Sequence, residues 1–146
     1  MTDKALDAEI AAKAVAPRVS LADIEAMIVG EVYNTADVLI LPSKNQRIVH
    51  PTNQDYVPII NTQMSLVTIC VLVLRNGWTS LGTSVCVSPE NYDETIGRKV
   101  ARQKALDGLW PVMGYALLDQ QWHAKEIQKG HAAVVAARAG GVGTGS

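Results

Sequence analysis

The clearest hydrophobic pattern in this chain lies in residues 67–115. Val67-Thr-Ile-Cys-Val-Leu-Val-Leu74 is an apolar, β-branched run that reads as a strand. Asn76-Gly77 follows, a pair that adopts φ > 0 at low cost and so favours a tight hairpin, with residues 78–87 as the return strand. A two-residue turn sets Val73 opposite Ser80, Val71 opposite Gly82 and Ile69 opposite Ser84. That register predicts a core face of Leu66, Thr68, Cys70, Leu72 and Leu74 with Leu81, Val85 and Val87. On the other face Val67, Ile69, Val71 and Val73 would oppose the small Ser80, Gly82 and Ser84. This second face reads as a shallow groove for the chain's own helix, a second subunit or a flat ligand.

After the hairpin, Ser88-Pro-Glu-Asn91 opens a helix that stops at Trp110-Pro111. Its apolar arc holds Ile96, Gly97, Val100, Ala101, Ala105 and Leu109, with Arg98 and Arg102 at one border. Upstream, residues 3–16 are alanine-rich and helix-favouring until Pro17. Ser20-Leu-Ala-Asp23 resembles a capping box, predicting a short amphipathic helix over residues 21–29 with Gly30 as its C-cap. Residues 38–41 make a short strand candidate ended by Pro42. Residues 43–63 are polar, broken by Pro51 and Pro58, and read as loop with an edge strand around residues 47–49. The fold class expected is α+β: an antiparallel hairpin or sheet packed with C-terminal helices, oligomeric because two partly apolar faces exceed what one helix covers. One domain spans 1–139, with 1–19 a helical extension and 140–146 a glycine-rich, flexible tail.

Composition narrows the chemistry. At 146 residues and 48% hydrophobic content the chain can build a core, and a net charge of −1 argues against a nucleic-acid surface. No apolar run spans a bilayer, and the N-terminus does not read as a signal peptide, so the cytoplasm is the expected compartment. In the two-residue register Cys70 and Cys86 point to opposite faces, which predicts free structural thiols. The cysteines and His50, His123 and His131 lack metal-ligand spacing, and no catalytic constellation is legible. No metal, no cofactor and no enzymatic activity are therefore expected.

Arg98 and Arg102, four residues apart, stack on one helical face and form a candidate anion clamp. An ordinary reading stays beside it: Glu94 pairs with Arg98 at i,i+4, and Arg102 is solvated.

The hairpin block Thr68–Trp78, Cys86-Val-Ser-Pro-Glu-Asn-Tyr-Asp93, Ile96-Gly-Arg-Lys-Val-Ala-Arg102, Leu109-Trp-Pro111 and Tyr115-Ala-Leu117 resembles the small tailed-phage family typified by gene 49 and gene 66 products. The segment from Ser20 to Tyr33 is similar to that family's N-terminal part, while residues 43–61 and those after Trp122 match poorly. Close to that family stand the first-type Thoeris anti-defence sponges, phage proteins that bind cyclic ADP-ribose isomers without cleaving them. The resemblance implies a sheet with two C-terminal helices, a homodimer or higher oligomer, and ligand held between protomers. It assigns phosphate contacts to Arg98 and Arg102. Trp78, on chemistry alone, is the candidate for stacking on adenine, and Asn91 completes the expected ligand-binding set.

The function expected is thus a phage counter-defence protein that sequesters a cyclic nucleotide signal. The alternative is a phage early protein acting as a protein-binding inhibitor or as an oligomeric structural module, using the apolar groove.

Overall fold

The computed structural model describes residues 4–40 and 53–140. Contacts divide the chain into two units, 1–110 and 111–146. The first is α+β, a three-stranded antiparallel sheet in the order β1-β2-β3 packed against a helix, as the hydrophobic pattern implied. The second, in its described part, is one helix.

The elements are α1 (Lys4–Lys13), α2 (Leu21–Met27), β1 (Ile28–Thr35), α3 (Ala36–Ile40), α4 (Val57–Ser65), β2 (Val67–Leu74), β3 (Thr79–Val85), α5 (Glu94–Asp107) and α6 (Leu109–Gly140). The capping box is present: the Ser20 hydroxyl accepts from the Asp23 N–H at 3.1 Å, and the Asp23 carboxylate accepts from the Ser20 N–H at 2.8 Å. Yet α2 ends at Met27, and the chain runs directly into β1. Gly30 is a strand residue against Val73, not a C-cap. Pairing with β2 overrides the local glycine signal.

Two further expectations are corrected. The strand candidate at 38–41 is helical through Ile40, since a four-residue apolar run does not by itself separate strand from helix. The loop reading of 43–63 fails from Gln54 onward: a 3₁₀ turn, Gln54–Tyr56, leads into α4. Pro58 sits in the first turn of α4, where its missing N–H costs nothing, so it starts the helix. The edge strand at 47–49 and the tail beyond Gly140 lie outside the described residues, and Gly140 itself closes α6.

The hairpin differs from expectation by one residue. Its loop is Arg75-Asn76-Gly77, with the Gly77 N–H donating to the Leu74 carbonyl and the Leu74 N–H to the Trp78 carbonyl, each at 2.8 Å. Gly77 alone takes positive φ, at 91°, among the described residues, which makes this a type I turn closed by a glycine bulge. Val73 therefore faces Thr79, Val71 faces Leu81 and Cys70 faces Gly82. Because side chains alternate, the slip exchanges the whole return strand between faces. Ser80, Gly82 and Ser84 lie on the core face with Thr68, Cys70, Leu72 and Leu74, while Leu81 and Val85 are exposed on the other.

The small residues of β3 thus make a seat for α5. A Cβ at Gly82 would lie 1.9 Å from the Ala101 carbonyl oxygen, and one at Gly97 would lie 2.7 Å from Thr68 Oγ1. Gly97, Ala101 and Ala105 form the buried ridge of α5, and the Ser80 hydroxyl donates to the Ala105 carbonyl at 2.7 Å. Ile24, Leu72, Leu74, Ala101, Ala105 and Leu109 complete the core. The helix that was to stop at Trp110-Pro111 ends at Asp107, and Pro111 falls in the first turns of α6. Both thiols are free. They share a face instead of opposing one another. The Cys86 N–H bonds to Leu66, four positions from Cys70, so the two lie roughly 13 Å apart along the strand, too far for a disulfide.

Candidate functional site

The ends of three elements converge beside the N-terminal half of α5. Asn34 and Thr35 close β1, Ser65 closes α4, Thr68 begins β2, and Tyr92 precedes α5, which contributes Glu94 and Arg98. Together they line a cavity of about 260 Å³. Every one of these side chains can form hydrogen bonds, and Arg98 is the only cation among these described lining residues.

Local chemistry explains the positions. The Asp93 carboxylate caps α5 by accepting from the Ile96 N–H at 3.0 Å, which starts the helix immediately after Tyr92. Glu94 and Arg98 then fall one turn apart and pair at 2.6 Å. The Arg98 guanidinium also stands over the Tyr33 ring, 5.6 Å from its centroid. Tyr92 and Thr68 bring their hydroxyls to 3.5 Å.

Arg102, one turn further along, is placed differently. Its Nε and Nη2 donate to one oxygen of Glu31 at 2.8 and 2.6 Å. Nη1 and Nη2 donate to the two oxygens of Glu25 at 3.0 and 2.7 Å. The second Glu31 oxygen accepts from the Tyr33 hydroxyl at 3.1 Å. The hydrogen bond from Arg102 holds the Glu31 carboxyl below its ordinary value of 4.5. The hydrogen bonds it donates to Glu25 and Glu31 raise the Arg102 guanidinium in turn. Burial pushes the Tyr33 phenol and the Cys70 thiol upward. One arginine thus ties α2, β1 and α5 together while its neighbour fronts the cavity.

Of the four residues singled out from sequence, Arg98 alone lines this cavity. Arg102 shares its helix face but is occupied by two carboxylates. Asn91 ends a 3₁₀ turn, Pro89–Asn91, and lines an adjoining cavity of about 160 Å³ with Leu66, Ser84, Cys86 and Ile96. Trp78 is half-exposed at the hairpin turn, whereas Thr68 lies at the other end of β2, roughly 20 Å away by strand rise. Sequence reasoning misses Tyr33, Asn34 and Thr35, because Gly30 locally signals a helix stop. The β-branched and aromatic residues Val29, Val32, Tyr33 and Thr35 are the available signal for a strand.

Among the described residues no group of three His, Cys, Asp or Glu side chains is arranged to hold a metal, and no helix is long and apolar enough to cross a membrane. The fold and site define an α+β protein with a hydrogen-bonding cavity where a helix-covered sheet meets its covering helix. Residues 19–121 match the model of the Phage protein (N4 Gp49/phage Sf6 gene 66) family, and the chain belongs to that family of phage proteins. No curated protein and no solved structure matches it.

Proposed function

We propose that this phage protein binds a phosphate-bearing cyclic nucleotide of the cyclic ADP-ribose class and sequesters it intact in the host cytoplasm, as a counter-defence factor and not an enzyme. The observation that carries this reading is Arg98, a cation fronting a cavity whose other walls are hydroxyls, an amide and one carboxylate. Such a lining suits phosphate and ribose together. Its volume of about 260 Å³ falls below the roughly 300–1,000 Å³ of pockets that enclose a drug-sized ligand, so it takes the phosphate–ribose part of one. A partner protomer would cover the remainder. Arg98 is assigned the phosphate contact, and Arg102 is assigned the task of holding the wall against which Tyr33 and Arg98 stack. Trp78 would meet a ligand only from another protomer.

Calorimetric titration with a cyclic ADP-ribose isomer tests this directly. Arg98→Ala removes charge-assisted bonds worth about 1.5–3 kcal/mol, which predicts ten- to hundredfold weaker binding, roughly, with the melting temperature unchanged. Ligand recovered from the wild-type complex should be chemically intact. No binding by the wild type, or a cleaved product, overturns the reading.

A second reading rests on the sheet face away from α5. Val32, Leu81 and Val85 are exposed there beside the half-buried Val67, Ile69, Val71 and Val73. That surface supports a protein-binding or self-associating module.

A further inference from the structure

Resting on the binding reading above, we propose that Glu94 is the specificity-determining residue of the cavity, setting it against free, highly charged phosphates and in favour of phosphodiester-type ligands that carry one negative charge per phosphate. Glu94 and Arg98 both line the cavity and are joined at 2.6 Å. The Tyr33 ring covers one face of the Arg98 guanidinium, so an incoming phosphate meets the guanidinium beside the Glu94 carboxylate. Two anions then share one cation. The second is repelled by the first in proportion to its own charge, and a dianion suffers more than a monoanion. The same carboxylate accepts hydrogen bonds and donates none, so it rewards a ligand that presents a hydroxyl next to its phosphate, as a ribose does. Free inorganic phosphate and pyrophosphate bring extra charge and no such donor ring. Arg102 gives no relief, because Glu25 and Glu31 already engage it. Both members of the Glu94–Arg98 pair are partly exposed, at 63% and 49%, so solvent and salt moderate the effect.

Glu94→Gln keeps the size of the side chain and one acceptor oxygen, removes the charge and puts an amide donor in place of the second oxygen. Binding of inorganic pyrophosphate and of a cyclic ADP-ribose isomer is measured by calorimetry, at low and at physiological salt, for wild type, Glu94→Gln and Arg98→Ala. Glu94→Gln should bind pyrophosphate about tenfold tighter at low salt, with a smaller gain at physiological salt, and should bind the cyclic ligand no better or worse than twofold or so. Equal pyrophosphate affinity in wild type and Glu94→Gln, with Arg98→Ala still weakening the cyclic ligand, overturns the specificity role and leaves the binding reading standing. Indifference of both ligands to Arg98→Ala overturns both. A gain for the two ligands alike shows a general charge effect, and that too overturns the specificity role.

Discussion

Glycine and serine decide how closely α5 approaches the sheet. At Gly82 any side chain would enter the backbone of the helix at Ala101 and Ala105, whose main-chain atoms cannot rotate away. Gly82→Ala is therefore expected to cost at least about 1–3 kcal/mol, the usual range for overpacking a well-packed core. Gly97→Ala meets the Thr68 hydroxyl, which can turn aside, and should cost less. Chemical denaturation of the two variants checks the order, and a fully stable Gly82→Ala would mean that α5 does not rest on β3 as described. These small residues were conspicuous in the sequence, but a two-residue turn assigned them to the wrong face. One residue of loop length, which the Asn76-Gly77 pair does not specify, reversed the assignment.

At the scale of elements, α2, β1 and α5 are tied by the Glu25–Arg102–Glu31 cluster. A lone surface ion pair contributes about 0–1 kcal/mol, whereas bidentate pairing in a three-residue network is the case in which such contacts count. Arg102→Ala should lower the melting temperature by several degrees, and an unchanged value would show that the cluster is only solvated charge. Acidity gives an independent check. The folded-state pKa of Glu31 is depressed, so its contribution is present above the ordinary value of 4.5 and is lost as pH falls through the folded value. The Asp23 carboxylate, lowered from 3.8 by the backbone and side chain of Ser20, acts in the same direction at the start of α2. Melting temperature should thus fall as pH drops below about 4.5, and less steeply in Glu31→Gln. Identical pH profiles for both proteins would rule out the Glu31 contribution.

For the whole molecule, the sheet is two-faced and only one face is covered by α5. Val32 at 54%, Leu81 at 63% and Val85 at 64% exposure leave apolar side chains in solvent on the other face. We expect a second copy of the chain to cover it, giving a homodimer or a higher oligomer by twofold self-pairing. Light scattering on the wild type and on Leu81→Lys tests this. The wild type should be oligomeric at micromolar concentration, the variant should shift toward monomer, and a monomeric wild type sinks the expectation.

The sequence by itself determined the α+β class, the hairpin strands, the Ser20 capping box and the helical spacing of Arg98 and Arg102. Each of these depends on contacts within a few residues, where periodicity, capping and turn chemistry act directly. Tertiary structure decided between the local signals at residues 28–35, because their partner in β2 lies some forty residues away and outweighs a glycine that locally signals a stop. It also decided the hairpin register, since the fit of Gly82 beneath Ala101 is a contact between distant segments. The separation of the two arginines has the same origin. Four residues of helix put them side by side, but Glu25 and Glu31 arrive from α2 and β1 to claim Arg102, while Asn34 and Thr35 at the end of β1 and Ser65 of α4 build a cavity around Arg98. Pairing across the chain, which no local pattern encodes, divided one motif into a tie and a candidate binding residue.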